Sequence, residues 1–291
     1  MAVPSERAND NASLIVLILG PTMAIYVNPD SPKRNLAPVK TFYVDDSALE
    51  ISGVPHILVG AISFWDESPA ISDMLQLKQK FGWRSHEEIK WNCQKFTQAQ
   101  RHLLTEGMLA ILAHCRGFLI VTNGTKQAAA IELAIQLSDF CKTLGLSGFV
   151  CRFDRNIIQN RAEFDRSAFA LNPPCVGWSE LDSAHDQLVQ CADIFVGFQK
   201  LRMDLGLGRI DPSKPIEVEA YEGLRSQYSL GWFLHLALRH SLWGRVDQMD
   251  KHGRVLKNNV GYGVRMSSRL PKAVQEQALS HLGRENLGCV H

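Results

Sequence analysis

Four acidic side chains and one lysine are placed where chemistry could be done. In Tyr43-Val-Asp-Asp-Ser47 an apolar-leaning segment runs into two acids. Alternation along a strand sends Tyr43 and Asp45 to one face and Val44 and Asp46 to the other, so only one acid can enter a given site. Such a pair also commonly begins a turn. Glu87-Glu88-Ile89-Lys90-Trp91 alternates as well, with Glu88 and Lys90 on one side and Ile89 and Trp91 on the other; a solvated, ion-paired edge would read the same way. Asp154 closes Gly148–Asp154, where it could equally cap the helix that follows. Asp193 lies in a helix that is apolar on most sides, on a narrow stripe with Asp186, Gln190 and Gly197 at i, i+4, i+7 and i+11. A carboxylate buried there needs a cation, either a basic side chain or a metal, because an unpaired buried ion costs several kcal/mol. Clustered acids at strand ends and on a packed helix suit a hard divalent cation such as Mg²⁺, which takes a few carboxylates, waters and phosphate oxygens.

Other chemistries lack their signatures. There is no Gly-x-x-x-x-Gly-Lys phosphate loop, no Gly-x-Ser-x-Gly elbow and no His-Glu-x-x-His helix, and Gly206-Leu-Gly208 and Gly261-Tyr-Gly263 lack the third glycine of a dinucleotide fingerprint. A phosphatase built on Asp45 and Asp46 would ordinarily need Asp-x-Asp spacing. His185, alone at a helix start, fits surface or capping use.

The elements that must carry these residues follow from periodicity. Strands are expected at Lys40–Asp46, His56–Trp65, Gly117–Thr122 and Gly148–Asp154. Helices are expected at Asp73–Phe81, Thr97–Cys115 with Thr97 as N-cap, Lys126–Leu144 ended by Gly145, Ile157–Phe169 and His185–Leu201. After a Gly- and Pro-containing linker, Glu217–Trp243 reads as a helical tail. Strands alternating with helices predict an α/β sheet, with the first two strands as an antiparallel hairpin at one edge.

The 291 residues, 45% hydrophobic and 21% charged with a net charge of +1, describe an ordinary globular chain whose overall field advertises no polyanion or membrane. The charge is nevertheless segregated. Arg239, Arg245, Lys251, Arg254, Lys257, Arg265, Arg269 and Lys272 face only Asp247 and Asp250, so this segment carries +6 and the remainder −5. Trp243 and Tyr262 could stack on bases there. Seven widely spaced cysteines without a Cys-x-x-Cys pair point to a reducing cytoplasm. Leu14–Val27 is too short for a membrane helix and reads as an appended strand or docking arm. Three regions are expected: 1–39 as an N-terminal extension, 40–205 as the core and 206–291 as a helical, basic C-terminal extension.

Taken together, Tyr43-Val-Asp-Asp-Ser47, Glu88-Ile-Lys90 and Gln190-Cys-Ala-Asp193 resemble the prokaryotic domain-of-unknown-function family 3800. Its members open with Tyr-Ile-Asp-Glu-Ser-Gly and later carry Glu-Leu-Lys and Gln-Leu-Ala-Asp. The three motifs fall in the same order between Thr41 and Leu201. This chain departs at Asp46, where Glu is usual, and at Ala48, where Gly is usual; Asn123 stands where many RNase H-like enzymes place an acid. The resemblance implies an RNase H-like mixed sheet flanked by helices. It also implies a metal-dependent nuclease hydrolysing phosphodiester bonds of DNA or RNA by a two-metal RNase H-like mechanism, with Mg²⁺ or Mn²⁺ held by Asp45, Glu88, Asp154 and Asp193, and Lys90 beside them to hold a phosphate oxygen or to pair with Glu88. The alternative it allows is a catalytically inactive RNase H-like module that binds nucleic acid or protein.

Overall fold

The computed structural model describes residues 26–27, 39–89, 97–221, 224–231, 234, 238, 241–242, 245–249, 255–259 and 263–282. The chain order is β1 (Tyr26–Val27), β2 (Val39–Ile51), β3 (Val54–Phe64), α1 (Ser68–Lys80), α2 (Gln98–Ala113), β4 (Cys115–Thr122), α3 (Lys126–Thr143), β5 (Gly148–Asp154), α4 (Arg161–Phe169), β6 (Cys175–Leu181) and α5 (Gln187–Gly206). It continues with β7 (Pro215–Tyr221), β8 (Leu224–Ser229), β9 (Arg245–Met249), β10 (Val255–Asn259), β11 (Val264–Met266) and α6 (Lys272–Leu282). Among the described residues no helix is long and apolar enough to cross a membrane.

Seven strands form one mixed sheet in the order β1-β6-β5-β2-β3-β4-β11. β2, β3 and β4 are antiparallel in chain order, and β5 and β6 return on the other side of β2 in parallel. This is a mixed α/β sheet flanked by helices, as expected from the sequence. The β2–β3 hairpin turns at Ser52 and Gly53, both at positive φ (53° and 78°), the two-residue turn whose twist matches the flanking strands. It is not at an edge as the strand pattern predicts. The β4–α3–β5 crossover carries β5 back to pair with β2, which makes β2 central.

Two apolar layers sandwich the sheet. One gathers Tyr43, Leu58, Ile62 and Leu119 with α1, α2 and α5; the other gathers Phe42, Val44, Phe118 and Phe153 with α3 and α4. Thr97 caps α2 as expected, in a reciprocal capping box with Gln100, and Thr125 accepts from the Ala128 N–H at 3.1 Å to begin α3, whereas α1 begins at Ser68 rather than Asp73 and α4 at Arg161 rather than Ile157. Helix α5 lies against the sheet over two glycines. A Cβ at Gly60 would stand 2.5 Å from Val196, and one at Gly117 would stand 2.4 Å from the Phe195 ring. Their bare backbones let the helix approach closely.

Three sequence expectations are corrected. Glu217–Trp243 is not a helical tail: β7 and β8 form an antiparallel hairpin, and helical residues begin only at Leu230. Ile216, Val218 and Ala220 alternate with Glu217 and Glu219, a strand period. The C-terminal region is therefore mixed, with helix α6 and the strands β7 to β11. Strand β6, which puts fully buried Trp178 in the core, is absent from the sequence expectation because Gly177 and the Pro173-Pro174 pair beside it read as loop. Finally, β2 does not stop at Asp46 but runs on to Ile51. From the apolar arm, Tyr26–Val27 pairs antiparallel with Trp178 and Gly177 of β6, and the rest lies outside the described residues.

Candidate active site

Strand alternation divides Asp45 from Asp46. Asp45 shares a face with Tyr43, turned toward α5, and is 7% exposed. Asp46 points to the opposite side, where Lys126 Nζ at the start of α3 holds its Oδ1 at 2.8 Å. The lysine neutralises the acid that the site does not use. Nothing local in the sequence signals this partner, which arrives from eighty residues downstream through the crossover.

The parallel register pairs Tyr43 with Arg152 and Val44 with Phe153, so Asp154 follows in step with Asp45 on the next strand and on the same face. Helix α5 brings Asp193 over this pair. The consequence is electrostatic: burial first, then the charges of Asp193 and Asp154, push the Asp45 carboxyl up to about 9, against a smaller lowering by the Asp46 N–H that Asp45 Oδ1 accepts at 2.7 Å. Asp154 is also raised, chiefly by burial, although its Oδ1 accepts the Ser183 N–H at 3.0 Å. Three acids expected from the sequence are thus brought together by β2, β5 and α5.

The remaining expected residues stand differently. Glu88 follows α1 in an irregular segment rather than a strand, and its charge, with that of Glu87, acts on Lys78. Lys78 is 1% exposed and donates to the Ser85 carbonyl at 3.0 Å; Gln187 Nε2 donates to the same carbonyl at 2.9 Å. The segment carrying Glu88 is therefore tied to α1 and to the first turn of α5. A lysine spaced as an ordinary helix residue gives no sequence sign of that burial. Lys90 lies outside the described residues.

Around the acids runs a set of polar contacts. Tyr43 donates its hydroxyl to Glu67 at 2.7 Å, and the charges of Arg152 and Asp186 also act on it. Asp186 caps α5 by accepting from the Leu188 and Val189 N–H groups at 3.0 and 2.9 Å. Beyond Asp154, Arg155 pairs with Asp182 at 2.8 Å, and Asp182 meets His185 Nδ1 at 3.2 Å; burial alone would raise Asp182, but the Ala184 N–H, the charge of Arg155 and the His185 hydrogen bond together hold it below the usual carboxylate range. The His185 ring stacks on that of His86. A cleft of about 430 Å³ opens here, lined by Arg155, Asn156, Ile158, Gln159 and Glu180. Beside it, buried Gln127 accepts from the backbone N–H groups of Gln159 and Asn160.

Among the described residues no group of three or more His, Cys, Asp or Glu side chains could hold a metal ion. Asp45 senses the charges of both Asp154 and Asp193, but the three do not make a closed cage. Of the basic segment, Arg265 pairs with Asp139 at 3.4 Å, Arg269 with Glu132 at 3.7 Å and Lys272 with Glu276 at 3.9 Å. Part of the surplus charge is thus spent on acids of α3 and α6. Arg239, Lys251 and Arg254 lie outside the described residues.

No family model and no curated protein matches this chain. Among solved structures, a chain of the PCNA:RNase HII complex from Archaeoglobus fulgidus overlaps 56% of this chain and 74% of its own length, with 16% identity and a TM-score of 0.33. An overlap that partial leaves the functional reading to the geometry of the site.

Proposed function

We propose that this protein is a metal-dependent nuclease that hydrolyses phosphodiester bonds of DNA or RNA. The observation that carries the reading is Asp45, a carboxyl buried at the centre of the sheet and pressed by two further carboxyls. With all three acids ionised such an arrangement is unfavourable without a cation, and the donor set is all hard oxygen, which fits Mg²⁺ or Mn²⁺. The lack of a closed cage is compatible with Mg²⁺, which keeps several waters and is held by one or two carboxylates plus substrate phosphates. The resemblance of the three motifs to family 3800 points the same way.

In this reading Asp45, Asp154 and Asp193 hold the cation, and Glu88 joins them from the segment tethered by Lys78. A bound divalent ion supplies charge neutralisation for the phosphate and a more acidic water. The chain's own residues do the positioning. Asp45 and Asp154 are fixed by the β2–β5 register, and Asp193 by the close seating of α5 on Gly60 and Gly117. Lys126 keeps Asp46 turned away. Arg155, more than half exposed beside Asp154 and paired with Asp182, is one cation that could meet phosphate oxygens, and the motif Glu88-Ile-Lys90 offers Lys90 for the same role.

The deciding experiment incubates wild type and Asp45→Asn with single- and double-stranded DNA and RNA, with Mg²⁺ or Mn²⁺ and with chelator. Cleavage that needs metal and vanishes in Asp45→Asn is the expected result. Binding without cleavage of any substrate by wild type would favour the inactive RNase H-like module, and absence of both would overturn the nucleic-acid reading.

A further inference from the structure

The cleft lined by Arg155, Asn156, Ile158, Gln159 and Glu180 opens at the carboxyl ends of the parallel strands β5 and β6, the end at which open α/β sheets bind ligands. Glu180 is in register with Phe153, whose ring packs with α3 and α4, so Glu180 stands on that side of the sheet; Asp154, one residue on, belongs to the side of α5. The Glu180 carboxylate is 3.7 Å from Arg161 Nη2, longer than a hydrogen bond, and accepts none from the described residues. Among those residues the side-chain amides of Asn156 and Gln159 are likewise unengaged. The wall that carries them is set before anything binds. Ile157 is fully buried, Asn156 turns the chain at φ +67°, Gln127 accepts from the Gln159 and Asn160 N–H groups, and Asn160 accepts from the Glu163 N–H to cap α4.

We propose that this cleft is a base subsite that selects an unpaired guanine. The inference rests on the nucleic-acid part of the reading above, not on the cation, and deepens it by naming the base. Glu180 decides the ligand. Its carboxylate repels a phosphate and takes N–H donors, and guanine is the common base that presents two adjacent ones, N1–H and the N2 amino group, to the two oxygens of one carboxylate. Uracil and thymine offer one N–H flanked by carbonyls; cytosine and adenine offer an amino group beside a ring nitrogen whose lone pair repels a carboxylate. Guanine O6 then accepts from an amide of Asn156 or Gln159, while Ile158 supplies apolar surface and Arg155 a planar guanidinium. The volume of about 430 Å³ is that of a small-ligand pocket. These contacts use the Watson–Crick edge, which is free only in an unpaired strand.

The test measures fluorescence anisotropy in chelator, so that nothing is cut, with labelled single-stranded oligothymidylates carrying one central guanine, adenine, cytosine or hypoxanthine. The expected result is that wild type binds the guanine strand about fivefold or more tighter than the adenine and cytosine strands. Hypoxanthine, which lacks only the N2 amino group, should lose most of that preference without any change to the protein. Glu180→Gln should bind all four strands alike and melt as wild type does, since the contact it gives up with Arg161 is long and partly exposed. Equal binding of the guanine and adenine strands by wild type overturns the proposal and leaves the nucleic-acid reading in place. So does a preference that survives either hypoxanthine or Glu180→Gln. Failure of wild type to bind any strand overturns the nucleic-acid reading itself, and the subsite with it.

Discussion

Burial and two neighbouring carboxyls keep Asp45 protonated at neutral pH in the cation-free protein, and this sets a definite pH dependence. Its folded value, about 9, lies above the ordinary 3.8, so the folded state holds a proton that the unfolded chain releases. The stabilisation is complete below about pH 4 and is lost as pH rises toward 9. Melting in chelator should therefore decline over that window in wild type, and Asp45→Asn, which cannot ionise, should flatten the decline. A profile equally steep in Asp45→Asn would assign the dependence to other groups. Asp46→Asn behaves differently: it removes a partly exposed ion pair with Lys126, expected to cost about 1 kcal/mol or less, and should keep most of the cleavage activity. The choice between the two acids was legible in the sequence, because strand alternation alone separates them. The partner that neutralises Asp46 was not, since the contact depends on where the crossover returns α3.

Helix α5 converts sheet geometry into site geometry, and the glycines beneath it decide how close it sits. Gly117→Ala would drive a methyl group to 2.4 Å from the Phe195 ring, which must shift or lift the helix. Overpacking of this kind costs about 1–3 kcal/mol. The expected outcome is a lowered melting temperature together with reduced cleavage, because Asp193 moves with the helix. Gly145→Ala provides the contrast. At φ +68°, with no atoms close to the added carbon, it should cost stability through backbone strain alone and leave cleavage per folded molecule unchanged. The stripe Asp186, Gln190, Asp193 was readable from the sequence because a buried helix has few polar positions to spare. Strand β6 and the β7–β8 hairpin were not. Gly177 and two prolines mask the first, and in the second Ile216, Val218 and Ala220 alternate with acids at a strand period rather than the helical one expected.

Neither edge of the large sheet is closed by the core that carries the acids. β1 covers β6 on one side, and β11 lies parallel to β4 on the other, with Leu119, Ile120 and Val121 paired to Val264, Arg265 and Met266. Removing residues 260–291 should expose the backbone of β4, a buried apolar strand, and bring self-association visible by light scattering at micromolar protein. A monodisperse truncated chain would show that β4 tolerates an open edge. The same arrangement has a consequence for birth on the ribosome. The chain emerges from its N-terminus, so β2 to β6 and α5 are all available while the strand that seals β4 is still to be made. Through that interval the nascent sheet offers an unpaired rim to neighbouring chains, and slow translation beyond α5 would lengthen the exposure.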